Sequence, residues 1–185
     1  MKKIIFIFIG FLIIQKSYSQ KNTSIEVFSG VGFNKDLTLI NEGINNYHLF
    51  TFQLNANYRF KITKVFFAET GIGAQWYFSS GTIGISKFNA TTLRIKIPIL
   101  VGRTLFKKAS IAAGIAILNN RDFDKFDFRA DYNLRTSLLI KGNYSITNNC
   151  DVLILIQKNL SDIPDLYLLN QPRLDVSIGV SYKLF

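Results

Sequence analysis

The sequence predicts an eight-stranded antiparallel transmembrane β-barrel, and three observations point there. The chain opens MKKIIFIFIGFLIIQKSYSQ, an export-type start, and closes LDVSIGVSYKLF, an amphipathic strand ending on an aromatic residue. Between these ends, segments that alternate apolar and polar residues recur, and helix periodicity is nearly absent. The connections between the segments alternate long and short, as in outer-membrane barrels with their short periplasmic turns, long external loops and even strand number.

Lys2 and Lys3 precede an apolar run from Ile4 to Ile14 that only Gly10 interrupts. The run falls short of the roughly 20 apolar residues of a spanning helix. With small residues at Ser17 and Ser19 it reads as a secretory signal peptide over residues 1–19, leaving one barrel domain over residues 20–185. Removing Lys2, Lys3 and Lys16 takes the formal charge from +10 to +7. In an exported barrel this balance is expected in the lumen and the periplasmic turns, and no nucleic-acid partner is expected. Cys150 is the single cysteine, so no internal disulfide forms, and no cysteine follows the apolar run to carry a lipoprotein anchor. Hydrophobic residues make up 48% of the chain, with 17 Phe and 8 Tyr, yet no second hydrophobic helix follows. The apolar face of a sheet is therefore the candidate membrane surface.

Successive strand side chains point to opposite faces. Residues 24–33 alternate through Ile25, Val27, Val31 and Phe33, with Phe28 among the polar set. Residues 47–60 are the clearest: Phe50, Phe52, Leu54, Ala56, Tyr58 and Phe60 share one face, and Thr51, Gln53, Asn55, Asn57 and Arg59 the other. Residues 65–78 set Phe66, Ala68, Ile72, Ala74, Trp76 and Phe78 against Glu69, Gly71, Gly73, Gln75 and Tyr77. Residues 92–103 set Leu93, Ile95, Ile97, Ile99 and Val101 against Arg94, Lys96, Pro98 and Gly102. Residues 109–118 are small and apolar on both faces. Residues 132–144 set Leu134, Thr136, Leu138 and Ile140 against Asn133, Arg135, Ser137 and Lys141. Residues 151–160 hold VLILI, apolar on both faces. Residues 174–184 set Leu174, Val176, Ile178, Val180, Tyr182 and Leu184 against Asp175, Ser177, Gly179, Ser181 and Lys183.

Residues 34–46, 79–91, 119–131 and 161–172 are long polar connections, and 61–64, 104–108 and 145–150 are short ones. An even strand number puts both termini in the periplasm, with the barrel in the outer membrane. Aromatic pairs of one parity mark strand ends: Phe50 with Phe60, Phe66 with Trp76, and Tyr132 with Tyr144. At about 3.3 Å per residue, tilted strands of this spacing span roughly the 25 Å of an outer-membrane apolar band.

The stretch TLRIKIPILVGRTLFKKASIAAGI, residues 92–115, resembles a signature of the small outer-membrane β-barrel family that includes PorT-like proteins and barrels of the OmpA and OmpX kind. Its elements are the Ile97-Pro98-Ile99 step, the basic Lys107-Lys108 turn and the small residues Ala112 to Gly114, with the closing Tyr182-Lys183-Leu184-Phe185 also similar. The resemblance implies the eight-stranded architecture and no single activity.

The lumen-facing charges are expected to form a network of Glu26, Arg59, Glu69, Arg94, Lys96, Arg135, Lys141, Asp151, Arg173, Asp175 and Lys183. Eight strands enclose only enough space for side chains to fill, and buried charges need partners. A plugged, salt-bridged interior is therefore expected, with Arg94, Arg135 and Arg173 pairing with Glu69, Asp151 or Asp175. Bases outnumber acids seven to four in that set, which leaves a narrow anion-preferring pore as the alternative. The connection NNRDFDKFDFRAD interleaves Arg121, Phe123, Lys125, Phe126, Phe128 and Arg129 with aspartates, a composition suited to an external recognition loop. Its aspartates lack the glycine and closing glutamate of a calcium loop, so no metal is expected. His48, the single histidine, has no local nucleophile and acid to form a triad. The chain is expected to be a non-enzyme without cofactor, structural or surface-binding through its external loops. Its expected partners are outer-membrane lipid and lipopolysaccharide, the barrel-assembly machinery through the C-terminal strand, and an envelope protein. Envelope transport or a secretion machine is the second function class, and lipid modification the third.

Protein recovered from outer-membrane fractions is expected to begin at or near Gln20. N-terminal sequencing checks this, and an intact Met1 would refute the signal peptide.

Overall fold

In lipid, a backbone N–H or C=O without a protein partner costs several kcal/mol, so a sheet that spans a bilayer has to close on itself. The computed structural model describes residues 23–33, 44–83, 85–122, 134–160 and 174–184. It shows that closure: β1 (Thr23–Phe33), β2 (Ile44–Lys61), β3 (Phe66–Ile83), β4 (Ser86–Phe106), β5 (Ala109–Asp122), β6 (Leu134–Ser145), β7 (Cys150–Asn159) and β8 (Leu174–Lys183) form one barrel in chain order. Each strand pairs antiparallel with the next, and β8 returns to β1 from Ser24↔Lys183 to Phe33↔Leu174.

The stagger follows from the register. Partners run from Thr23 to Tyr58, Thr70, Ile99, Ile115, Leu138, Lys158, Leu174 and back to β1 at Phe33, ten residues along from the start. A shear of ten over eight strands corresponds to a tilt of about 40° and to an interior that side chains can fill.

The sheet is apolar outside and polar inside, the inverse of a water-soluble fold. On β2, Phe50 and Leu54 are 46% and 43% exposed, whereas Thr51 and Gln53 between them are fully buried. The same alternation runs through β4, β6 and β8, where Ile97, Leu138 and Ile178 face out and Lys96, Ser137 and Ser177 face in. Aromatic rings gather at both ends of the outer face. Phe50 meets Phe78 at 6.1 Å and Phe52 meets Trp76 at 5.7 Å between centroids, near the end remote from the short turns. Tyr58 packs edge-on against Phe60 at 4.4 Å near the other end, where Phe66, Tyr144 and Tyr182 are also exposed. Tyr132 lies outside the described residues, as do residues 1–22 and with them the expected signal peptide over residues 1–19.

Two of the short turns are built alike from an Ile-Thr step. Ile62 and Thr63 donate to the Phe66 carbonyl, and the Thr63 hydroxyl accepts from the Val65 and Phe66 amides. Ile146 and Thr147 donate to the Cys150 carbonyl, and the Thr147 hydroxyl accepts from the Asn149 and Cys150 amides. The threonine oxygen stands in for a backbone acceptor and fixes the turn. Lys107 and Lys108 form the third turn, beside a bulge between Thr104 and Phe106.

Three expected loops are corrected: residues 44–46, the end of the expected 34–46 connection, belong to β2, where Ile44 and Asn45 pair with Ile83 and Thr82. Residues 79–91 are not a loop: β3 and β4 continue as a hairpin through a turn at Ile85, pairing from Ser79↔Ala90 to Ile83↔Ser86. Small and β-branched residues there satisfy one another's backbone, whereas their polarity suggested irregular chain. Among the described residues β5 meets β4 from Thr92 onward, and residues 86–91 extend about 15 Å beyond that pair. Residues 119–122 belong to β5, held by pairing with residues 92–95.

Arg in place of Leu138 or Ile178 should hinder insertion by about 2–4 kcal/mol, the cost of Arg on a lipid face at mid-bilayer. Ser137→Arg overpacks the lumen but avoids that lipid penalty. Spin labels should find positions 138 and 178 accessible to oxygen in lipid and 137 and 177 shielded, and the reverse pattern would turn the barrel inside out.

Candidate functional site

The lumen is the candidate site, and its centre is a lysine that crosses the barrel. Lys141 neighbours Ala112 and Leu155 in the sheet, yet its ammonium reaches strands on the far wall. It donates to Glu26 Oε1 on β1 at 2.8 Å and to Glu69 Oε1 on β3. The second oxygen of each carboxylate is also engaged. Asn57 Nδ2 donates to Glu26 Oε2 at 2.6 Å, and Arg59 grips Glu69 Oε2 through Nε at 3.1 Å and Nη2 at 3.0 Å. Arg59 lies over the Phe67 ring, 4.1 Å from its centroid. Asn143, with its amide oxygen turned toward Arg59, accepts from Nη2 at 2.7 Å. Two acids and two bases thus neutralise one another, with the lysine tying three strands across the lumen.

Toward the short-turn end, Lys183 Nζ pairs with Asp151 Oδ1 at 2.7 Å and reaches Ser145 Oγ at 3.4 Å. A shallow cleft opens there between Ser24, Glu26, Arg59, Asn143, Asp151, Ser181 and Lys183.

The other half of the lumen is organised by amides. Lys96 donates to Gln53 Oε1, and Gln53 Nε2 donates to Ser177 Oγ at 3.4 Å. Ser177 donates to Asp175 Oδ1, Gln75 donates to Asp175 Oδ2 at 3.3 Å, and Gln157 donates to Gln75 at 3.4 Å. Arg94 donates from Nη1 to the Tyr77 hydroxyl at 3.2 Å and lies 4.5 Å from that ring's centroid. Its Nε and Nη2 are buried without a hydrogen-bond partner among the described residues.

The expected ion pairs of Arg94 are therefore corrected. Glu69 stands opposite Leu100, six residues from Arg94 along β4 and about 20 Å away, where Lys141 and Arg59 already hold it. Asp151 lies at the short-turn end with Lys183. Asp175 sits opposite Gln157 and Gly32 on another wall, its oxygens taken by Ser177 and Gln75. Arg135 is half-buried on β6. Arg173 lies outside the described residues.

The lumen also holds an apolar plug among its charges. Phe28, Phe67, Leu100, Leu139, Leu153 and Leu155 are buried together. Glycines opposite the two rings make room for them: a Cβ at Gly179 would strike Phe28, and one at Gly102 would strike Phe67. Sequence reasoning placed Phe28 among the inward residues and passed over the others. The signal was the phase of Phe67 and Leu139, each two residues from an inward polar neighbour, and of Leu100, which shares the parity of Arg94 and Lys96.

Of the expected recognition residues, Arg121 is corrected to a strand position opposite Leu93 on β5. Phe123, Lys125, Phe126, Phe128 and Arg129 lie outside the described residues. His48 is exposed on β2, opposite Ser80 on β3, with no side-chain hydrogen bond between them. Cys150 is a half-buried free thiol at the start of β7.

Fold and lumen together define an eight-stranded transmembrane β-barrel with a filled interior. No family model matches the chain, and no curated protein matches it. Solved structures similar to it include a de novo designed transmembrane β-barrel, at 14% identity and TM-score 0.49, covering 90% of this chain and 100% of that one. The NanC porin is similar at 10% identity and TM-score 0.37, covering 86% and 100%. The translocator domain of the autotransporter NalP from Neisseria meningitidis is similar at 10% and 0.36, covering 90% of each chain.

Lys141→Met leaves Glu26 and Glu69 without their shared cation and should destabilise the barrel by about 3–5 kcal/mol, as loss of one member of a buried pair does. Arg94→Met removes a buried cation that makes no direct ion pair among the described residues, and it should cost clearly less than Lys141→Met. Urea unfolding of the two variants in lipid vesicles checks the contrast, and equal losses would refute it.

Proposed function

We propose that this chain is an exported outer-membrane protein with a non-conducting barrel, whose role is structural or surface-binding. The observation that carries the reading is the Lys141 bridge, which spans the lumen between Glu26 and Glu69 amid the apolar plug of Phe28, Phe67, Leu100 and Leu139. Ions crossing the barrel would have to break it. The short turns at residues 62–65, 107–108 and 146–149 share one end, which supports a periplasmic assignment for that end and for both termini. Binding then belongs to the opposite end, where β2, β3 and β4 carry the raised hairpin and the 119–131 segment begins. Lipopolysaccharide and an envelope protein are the partners we assign to it. β8, which closes the sheet on β1, is the element we assign to the barrel-assembly machinery. This reading has no cofactor, catalytic step or nucleic-acid contact, and it keeps the PorT-like, Gram-negative kinship as a proposal.

One observation favours the second reading, envelope transport: among the described side chains, Arg94 and Lys96 place two buried cations in the far half of the lumen beside one carboxylate, Asp175. Conductance in planar bilayers separates the readings. The purified barrel should show no steady current, and a reproducible anion-selective current from the unmodified protein would overturn the plug and favour transport.

A further inference from the structure

Among the described residues, the outer surface at the short-turn end carries charge of one sign. The described acidic side chains Glu26, Glu69, Asp151 and Asp175 are all buried in the lumen. Lys64, Arg103, Lys107 and Lys108, by contrast, are exposed on the rim. Lys64, Lys107 and Lys108 belong to two neighbouring turns, 62–65 and 107–108, and Arg103 to the end of β4 beside them, where the Thr104 amide donates to the Val65 carbonyl at 2.8 Å. The third turn, 146–149, has the sequence Ile-Thr-Asn-Asn and is uncharged. Among the described residues, the basic patch thus lies on one side of the barrel.

Apolar side chains are exposed within the same turns. Ile62 and Val65 are 59% and 43% exposed, and Leu105 and Phe106 are 50% and 75% exposed. They continue the lipid-facing surface down to the cations, and Arg103 lies over the outward Phe66 ring at 5.7 Å. A turn surrounded only by water would leave these groups exposed at a cost. In the headgroup layer of a bilayer, apolar groups reach the acyl chains while lysine and arginine ends reach the phosphates.

We infer that this rim is a binding site for anionic phospholipid headgroups, built by Lys64, Arg103, Lys107 and Lys108 on the β2–β5 side of the barrel. Charge complementarity selects the headgroup, and the adjoining apolar turns hold the lipid within reach. The inference needs only the membrane-spanning fold and is independent of whether the lumen conducts.

The test uses the full chain folded in phosphatidylcholine vesicles, with spin-labelled phosphatidylglycerol or spin-labelled phosphatidylcholine as probe. A cation near an anionic surface favours it about five-fold. The wild-type barrel should therefore associate with the phosphatidylglycerol probe at least about five-fold more strongly at low salt. Its preference should shrink toward unity near 1 M salt, where screening acts within about 3 Å. Replacing Lys64, Arg103, Lys107 and Lys108 by Gln should remove the preference at low salt, while Lys87→Gln at the opposite end leaves it intact. Should the fourfold variant fail to fold, the Lys107→Gln, Lys108→Gln pair with the wild-type salt series carries the same comparison. Equal association of the two probes with wild type would overturn the inference and leave the patch to an acidic protein. A preference that survives the substitutions or high salt would overturn it as well.

Discussion

Closure of the sheet is the constraint from which the rest follows. A bilayer offers no hydrogen bonds to a strand edge, so β8 must find β1. The register by which it does so, shear ten over eight strands, sets the tilt and the bore together. That bore is too narrow to hold bulk water and too wide to be filled by small residues alone. The inward residues therefore include long amides, lysines, arginines and rings. The outward residues need only be apolar, and Val, Ile, Leu and Phe serve in succession. Glycines enter where two inward groups compete for the same space, as at Gly102 beneath Phe67 and Gly179 beneath Phe28.

A narrow closed lumen makes each charge in it expensive, at several kcal/mol per ion before compensation. The two halves meet that cost differently. Near the short turns, carboxylates meet cations directly, and Lys141 is long enough to serve both walls at once. In the far half, Gln53, Gln75 and Gln157 relay between Lys96, Ser177 and Asp175, because an amide both donates and accepts. Arg94 is left with one hydroxyl and one ring. The first arrangement locks the barrel across its bore. The second leaves positive charge in excess among the described side chains near the end where the hairpin stands. The outer surface is equally uneven, since acids are drawn inward to the lysines and the rim of the short turns is left basic.

Much of the fold was legible because a membrane barrel turns its alternation into a code for inside and outside. The parity of Phe50 against Gln53 and of Ile178 against Ser177 is the parity of lipid against lumen. Strands β5 and β7 were harder, because both faces are apolar where the plug meets the wall, and Leu153 and Ile154 differ only in direction. The hairpin over residues 79–91 was mistaken for a loop because its polar residues stand above the bilayer, where alternation carries no hydropathy signal. Membership of the lumen could be read residue by residue, but its pairings could not. Lys141, Glu26 and Glu69 are brought together by the tilt and stagger of strands that are not neighbours, and no local pattern in the chain encodes that meeting. The same stagger separates Arg94 from Glu69 and Asp151, two of the carboxylates that sequence reasoning had offered it.

The most direct test of this account is cross-linking at the closing seam. In a Cys150→Ser background, cysteines at Val27 and Val180, which face each other across β1 and β8, should form a disulfide on oxidation of the barrel in lipid. Cysteines at Val27 and Ile178, offset by two residues in the register, should not. A cross-link at the offset pair, or none at either, would mean that the sheet closes with a different stagger or stays open, and the filled lumen described here would not exist.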